Sequence, residues 1–176
     1  GHLDRVRRIC GYLSKMKHGF LRIRTGEPDY SGAPDQGYDW TRSVYGDVHE
    51  QVPKDAPKPL GKRVVTTSYV DANLYHDLMT GRAVTGVIHF VNQTPVHWFT
   101  KKQPTVETAT YGAEFIAAKL AVEQIMGMRL TLRYLGVEVH GATHLFGDNG
   151  SVVTSSTIPD SPLRKRHQAL AYHFTR

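Results

Sequence analysis

Residues 64–73 read Val-Val-Thr-Thr-Ser-Tyr-Val-Asp-Ala-Asn, a run rich in β-branched and aromatic side chains that predicts a strand. The strand is expected to stop on Asp71, with a turn over 74–81 behind it. A lone Asp there would read as a turn residue. Two further acids change its weight. Glu114 sits inside a long apolar-periodic stretch, 106–135, that predicts helix, and Asp148 closes a second short strand-like run, 143–148. Residues 83–91 and 96–100 predict two more strands, joined through the tight turn Asn92-Gln93-Thr94-Pro95. The order is therefore three strands in an antiparallel meander, a helix, and a further strand, with carboxylates on the first strand, the helix and the last strand. This order is expected to form an α/β fold. It also brings acids to one place from three separate elements. Hard divalent cations take carboxylate oxygens, and such a site can hold a pair of ions for in-line phosphoryl displacement.

The length, 176 residues, fits one domain plus additional material. Twenty-two Lys and Arg against 16 Asp and Glu leave a net charge of +6, which suits a polyanionic partner such as nucleic acid. A basic surface that serves only solubility would give the same balance. The one cysteine, Cys10, excludes a disulfide within the chain and fits a reducing, intracellular setting. No apolar run approaches the roughly 20 residues that span a bilayer, so no membrane partner is expected. No secretory signal is evident. The chain starts on Gly1 and stops on Arg176 within an expected helix, so it reads as a piece of a longer protein.

Residues 1–24 place Val6, Ile9, Cys10 and Leu13 on one helical face, with Arg5, Arg7, Arg8, Lys15 and Lys17 elsewhere; Gly11 weakens that helix, and 20–24 alternate like a short strand. Residues 25–63, rich in Pro, Gly and Asp, read as a connector stiffened by Pro53, Pro57 and Pro59. Tyr38, Trp40 and Tyr45 suggest that part of it docks on a neighbour. On the long helix, Ala109, Ala113, Ile116, Ala117, Leu120 and Ile125 are expected to share the buried face, and Gly127 to divide the helix in two. A short helix is expected over 149–156. Pro162 sits where a first-turn proline would open a last helix over 163–176.

Several local motifs carry a resemblance. They are Asp71-Ala72-Asn73 followed by Asp77 and Arg82-Ala83-Val84-Thr85-Gly86, then Trp98 with Lys101-Lys102-Gln103, Ala113-Glu114-Phe115, Asp148-Asn149, and the His-bearing stretch 166–174. In this order and spacing they resemble the RNase H domain of copia-type LTR retrotransposon Pol polyproteins. Gly1-His2-Leu3 with Arg8-Ile9 and Gly11-Tyr12-Leu13 is similar to the end of the reverse-transcriptase region that precedes that domain. The resemblance implies a division into 1–24, the end of a reverse-transcriptase segment; 25–63, a connector; and 64–176, an RNase H-like domain lacking its last strand and helix. It implies a mixed sheet, with helices packed on it, in which a parallel strand follows the meander. It also implies metal-binding, catalytic acids at Asp71, Glu114 and Asp148, with Mg²⁺ as cofactor and Mn²⁺ as substitute. The family's fourth acid would lie beyond Arg176. Asn73, Gly112 and Ala169 stand where the family often has acids, none of them a metal ligand.

The implied reaction is hydrolysis of the RNA strand of an RNA–DNA hybrid during reverse transcription. The partner would be the rest of the polyprotein, in a cytoplasmic virus-like particle for an intact element. Arg82, Lys101, Lys102, Gln103 and Asn149 are the candidate nucleic-acid contacts, through phosphates or the 2′-hydroxyls that mark RNA. Solvated turns serve equally for the two lysines, and a helix cap serves equally for Asn149. Trp98 is weighed as core more than as a stacking platform. Glu107, a helical neighbour of Glu114, is a rival for its role. Asp77 reads as a turn residue and Glu123 as solvated. The basic cluster Arg164-Lys165-Arg166-His167 reads as either a polyanion contact or a soluble face, and His167 with His173 are poorly spaced for a metal. An inactive retroelement relic that binds without cutting is the alternative. An integrase- or resolvase-type nuclease of the same fold is the third.

Overall fold

The computed structural model describes residues 2–33, 37–46, 49–163 and 166–176. Three strands, β1 (Thr66–Asp77), β2 (Arg82–Val91) and β3 (Thr94–Lys102), form an antiparallel meander. A short fourth strand, β4 (His144–Phe146), joins β1 in parallel, giving the sheet order β3-β2-β1-β4. With helices packed against it, this is a ribonuclease H-like mixed sheet.

β1 does not stop at Asp71. It runs on because β2 still offers partners there: Asp71 faces Gly86, Ala72 faces Thr85, Asn73 faces Val84 and Asp77 faces Arg82. Ladder pairing outweighs the weak strand preference of Asp and Asn. The register breaks only between Asn73 and Asp77, where Tyr75 takes a φ of 53°. The turn is correspondingly shorter than expected, and Gly81 supports it at φ 67°. The next turn uses only Asn92 and Gln93, so Thr94 and Pro95 already belong to β3. Asn92 adopts φ 53°, and its side chain accepts from Val65 N–H and donates to the Thr25 carbonyl.

The long helix α2 (Thr110–Tyr134) is continuous. Gly127 does not divide it; that residue is exposed, so its cost of about 1 kcal/mol is borne by the packing on either side. A positive-φ Gly136 ends the helix, with Val137 N–H reaching back to the Leu132 carbonyl. The helix is also buried on two sides, which a single apolar stripe does not describe. Ala113, Ala117 and Ala121 pack on Val70, Ala72, Ala83 and Val87 of the sheet. Phe115 and Ala118 pack away from the sheet, on Val152, Ala171 and Tyr172. Those last residues belong to α3 (Gly150–Thr157) and α4 (Ala169–Thr175). Ile116 and Leu120, expected in the buried face, are only half-buried. The final helix starts later than Pro162 suggested, after a 3-10 turn at Arg166–Gln168. Arg164 and Lys165, from the basic cluster, lie outside the described residues.

The N-terminal helix α1 (His2–Lys15) forms as expected but buries no residue. Residues 20–24 do not form a strand. Arg24 is held by a side chain instead, its N–H and carbonyl both bonded to Thr94 Oγ1 at 2.7 and 2.9 Å. The segment 25–63 contains neither helix nor strand among its described residues, yet it is pinned along the domain. The Tyr30 hydroxyl bonds Thr67 Oγ1. Trp40 and Tyr45 lie against the Arg176 guanidinium, and Tyr38 stays exposed. Glu50 accepts from Arg129 and Arg133 of α2, each at 2.6 Å, which holds its carboxyl down at about 2. Among the described residues no helix is long and apolar enough to cross a membrane.

At the start of α2, Gly112 lies against the buried carboxylate of Glu107, which accepts from Gln168 Nε2 at 2.7 Å. A Cβ at residue 112 would stand 2.1 Å from Glu107 Oε2. Gly112→Ala is therefore expected to push Glu107 off its bond with Gln168 and to cost about 1–3 kcal/mol. Denaturant unfolding of the variant beside the parent measures this; equal midpoints would contradict the packing described.

Candidate metal centre

The register of the parallel pair sets the site. Tyr69 is level with Phe146, the last pair of β1 and β4. Asp71 follows Tyr69 by two residues on β1, and Asp148 follows Phe146 by two residues, just beyond the end of β4. The parallel pairing therefore brings the two carboxylates to the same end of neighbouring backbones. β4 pairs only with Thr67, Ser68 and Tyr69, which leaves that edge of β1 open beyond Tyr69. Glu114 fills the opening. Its Oε1 accepts from the backbone N–H of Ala72 at 3.2 Å. The alanine seam makes this reach possible, because small side chains let α2 lie close on the strand.

One carboxylate oxygen from each of Asp71, Glu114 and Asp148 lies within 4.8 Å of the others. Asp71 and Asp148 are exposed while Glu114 is buried. Burial raises the Glu114 carboxyl to about 7; the Ala72 N–H opposes this, and the charges of Asp71 and Asp148 add to it. A largely apolar pocket of about 930 Å³, bordered by Val70, Ala118, Ile125, Leu145 and Val152, also borders Glu114. Three oxygen donors converging from two sides suit a hard divalent cation, whose charge would relieve their mutual repulsion and draw the proton off Glu114.

The other candidate residues are dispersed. Gln103 is buried and structural: its Nε2 donates to Thr85 Oγ1 at 2.9 Å and to the Ala113 carbonyl at 2.8 Å, fastening β3 to β2 and α2. Asn149 caps α3, its Oδ1 accepting from Ser151 and Val152 N–H at 3.1 and 3.2 Å. Lys102 is engaged by Asp77 at 2.5 Å, which holds that carboxyl well below the usual range. Lys101 stays exposed on edge strand β3, in the row of Thr85 and Ala72. Arg82 is exposed opposite Asp77, four residues and about 13 Å along β2 from Gly86, the partner of Asp71. Glu107 is not a rival ligand, being bound to Gln168 and 3.3 Å from His167. His173 faces the Tyr45 hydroxyl at 2.5 Å, and Glu123 pairs with Lys119 at 2.6 Å. Trp98 is not core; it is 66% exposed.

Two features of the site were hidden in the sequence. One is the Ala72 N–H, available only because β4 is short. The other is the aromatic surface beside Asp71, where Tyr69 stacks on Phe146 and Tyr30 leans on His144 and Phe146. Both depend on register, which no local motif encodes.

No family model matches the chain. Among solved structures it is similar to the N-terminal RNase H domain of rv2228c from Mycobacterium tuberculosis, solved as a fusion with maltose-binding protein. The identity is 13%, the match covers 64% of this chain and 71% of that one, and the TM-score is 0.46. Strand order and register, rather than this likeness, define the class: a ribonuclease H-like α/β protein bearing a three-carboxylate cluster.

The raised Glu114 carboxyl makes stability fall with pH. Below about pH 4.5 the group is protonated in both the folded and the unfolded chain and costs nothing; between 4.5 and 7 only the unfolded chain ionises it; above 7 the full penalty applies, about 2–3 kcal/mol. Buried His89, whose imidazole is depressed by burial, works in the opposite direction below pH 6.5. The test is therefore the difference between parent and Glu114→Gln. The variant should gain stability over the parent steadily from pH 5 to 8 without metal, and Mg²⁺ should raise the parent's melting temperature more than the variant's. Parallel pH profiles would contradict the burial of this carboxyl.

Proposed function

We propose that the chain is an RNase H-type endonuclease that hydrolyses the RNA strand of RNA–DNA hybrids with divalent metal ions. The observation that carries this reading is the convergence of Asp71, Glu114 and Asp148 from β1, α2 and the end of β4. These three residues would hold Mg²⁺, or Mn²⁺ in its place. When bound, a metal pair of this kind supplies an activated water and charge stabilisation for the leaving 3′ oxygen. The protein's own part is positional. Asp71 is fixed by its pairing with Gly86 on β2, Asp148 stands just beyond the end of β4, and both are open to solvent, where a phosphodiester can approach. Glu114 is anchored by Ala72 N–H, so its carboxylate needs no reordering when it ionises.

The finer assignment rests on the motifs quoted above. On it the chain derives from a copia-type retrotransposon Pol polyprotein. Residues 1–24 would end the reverse-transcriptase region, 25–63 would connect, and 64–176 would form the nuclease. The partner would be the reverse-transcriptase domain, and the setting a cytoplasmic virus-like particle. A second reading is a nucleic-acid binder that does not cut. The small donor set favours it, since three carboxylates leave two ions sparsely ligated.

Labelled RNA–DNA hybrid, single-stranded RNA and duplex DNA, incubated with Mg²⁺ or Mn²⁺, test the proposal. Cutting confined to the RNA of the hybrid is expected. Asp71→Asn and Asp148→Asn should each lower it at least about 100-fold while the melting temperature holds or rises slightly, because each removes a repelled charge. Cutting of duplex DNA would point to an integrase-type nuclease instead. Binding without cutting would establish the second reading.

A further inference from the structure

The chain's net charge is unevenly placed. Residues 1–24 contain seven Lys and Arg and one acid, Asp4, a balance of +6 that equals the net charge of the whole protein. The remaining 152 residues contain fifteen basic and fifteen acidic side chains. The sheet, its helices and the connector are thus neutral overall, and several of their cations are engaged by groups of the same domain. Lys102 is held by Asp77, Lys119 by Glu123, and Arg129 and Arg133 by Glu50. Arg176 is folded onto Tyr172 and the carbonyls of Ser155, Ile158 and Ser161.

The N-terminal segment is the reverse case. No residue of α1 is buried. Asp4, with Arg7 4.0 Å away, is the single acid set against seven cations, so the segment keeps a large positive excess whatever Asp4 meets. Arg5, Arg8 and Lys15 fall on one side of the helix and span about 15 Å of its length, room for several phosphates of a nucleic-acid strand. A polyanion approaching Asp71 and Asp148 meets carboxylates first, and the neutral domain offers no long-range attraction to offset them.

We infer that residues 2–24, with α1 as their core, are the polyanion-binding element of this protein and hold the phosphate backbone of its nucleic-acid substrate. The inference rests on the nucleic-acid reading above, and it goes further by separating the binding element from the cutting one. The surface is chosen by charge complementarity. The apolar side of the same helix, with Val6, Ile9 and Leu13 each more than half exposed, makes an anionic membrane the competing occupant.

The experiment uses the full chain carrying Asp71→Asn, so that substrate survives, and measures anisotropy of a labelled RNA–DNA hybrid across about 50–300 mM salt. A fivefold variant (Arg5→Gln, Arg7→Gln, Arg8→Gln, Lys15→Gln, Lys17→Gln) keeps helix-forming side chains. Its melting temperature should be unchanged, since none of these residues is buried. It should bind at least tenfold more weakly at about 100 mM salt. Its plot of log affinity against log salt should be flatter by about 0.9 for each phosphate it no longer neutralises. A variant with Arg5→Lys, Arg7→Lys and Arg8→Lys should keep the parental slope. Neutralising Lys54, Lys58 and Lys62, also exposed, should change affinity less than twofold. An unchanged slope in the fivefold variant would overturn the inference, as would equal weakening by the connector variant. Charge-dependent binding seen with phosphatidylserine vesicles but not with the hybrid would overturn it in favour of the membrane. All of these are binding readouts, so they stand whether or not the parent cuts; a parent that binds by this segment but leaves the hybrid intact would refute the nuclease reading alone.

Discussion

Three parallel residue pairs, Thr67 with His144, Ser68 with Leu145 and Tyr69 with Phe146, join β4 to the sheet, and the carboxylate cluster depends on them. They bring Asp71 and Asp148 to the same end of neighbouring backbones. By ending where they do, they also leave Ala72 N–H free for Glu114. A longer β4 would take that N–H into the ladder and shut Glu114 out. A shift of one residue would turn the side chains of β4 to the opposite face. The alanine seam is the second half of the same arrangement. With Ala113, Ala117 and Ala121 against the sheet, the distance from Glu114 to the strand becomes a matter of packing, and packing is intolerant of added volume.

Much of this was legible in the chain. The β-branched run before Asp71, the meander and the long helix all follow from composition and period. The order of the three acids along those elements was enough to anticipate where they would meet. What could not be read was whatever depends on a partner across space. β1 outlasts Asp71 because β2 continues beside it, although Asp and Asn predict a stop. α2 has no single apolar stripe because it is sandwiched between the sheet and the pair α3 and α4. Gln103 looked like a polar surface residue following two lysines; its amide is instead spent between Thr85 and Ala113. Trp98 shows the opposite error, a large aromatic that the edge strand leaves facing solvent.

The electrostatics divide by region. Acidic groups that meet cations are held down, as Glu50 is by Arg129 and Arg133. Glu114, surrounded by apolar side chains and facing two other acids, is pushed up. The first arrangement fastens the irregular segment 25–63 to the far half of α2. The second stores unfavourable charge at the one place where a cation would relieve it.

The parallel pairing of β1 with β4 also has a meaning in the order of folding. Its flanking contact, Thr66 Oγ1 to Thr143 Oγ1, joins residues 77 apart in sequence, whereas β1, β2 and β3 meet through turns of a few residues. Closing a loop of that length sacrifices chain entropy before any long-range contact compensates. The meander and α2 can thus condense early, with β4 arriving last. On that order Asp148 would join Asp71 and Glu114 last, and the β1 edge would stand open until β4 docks.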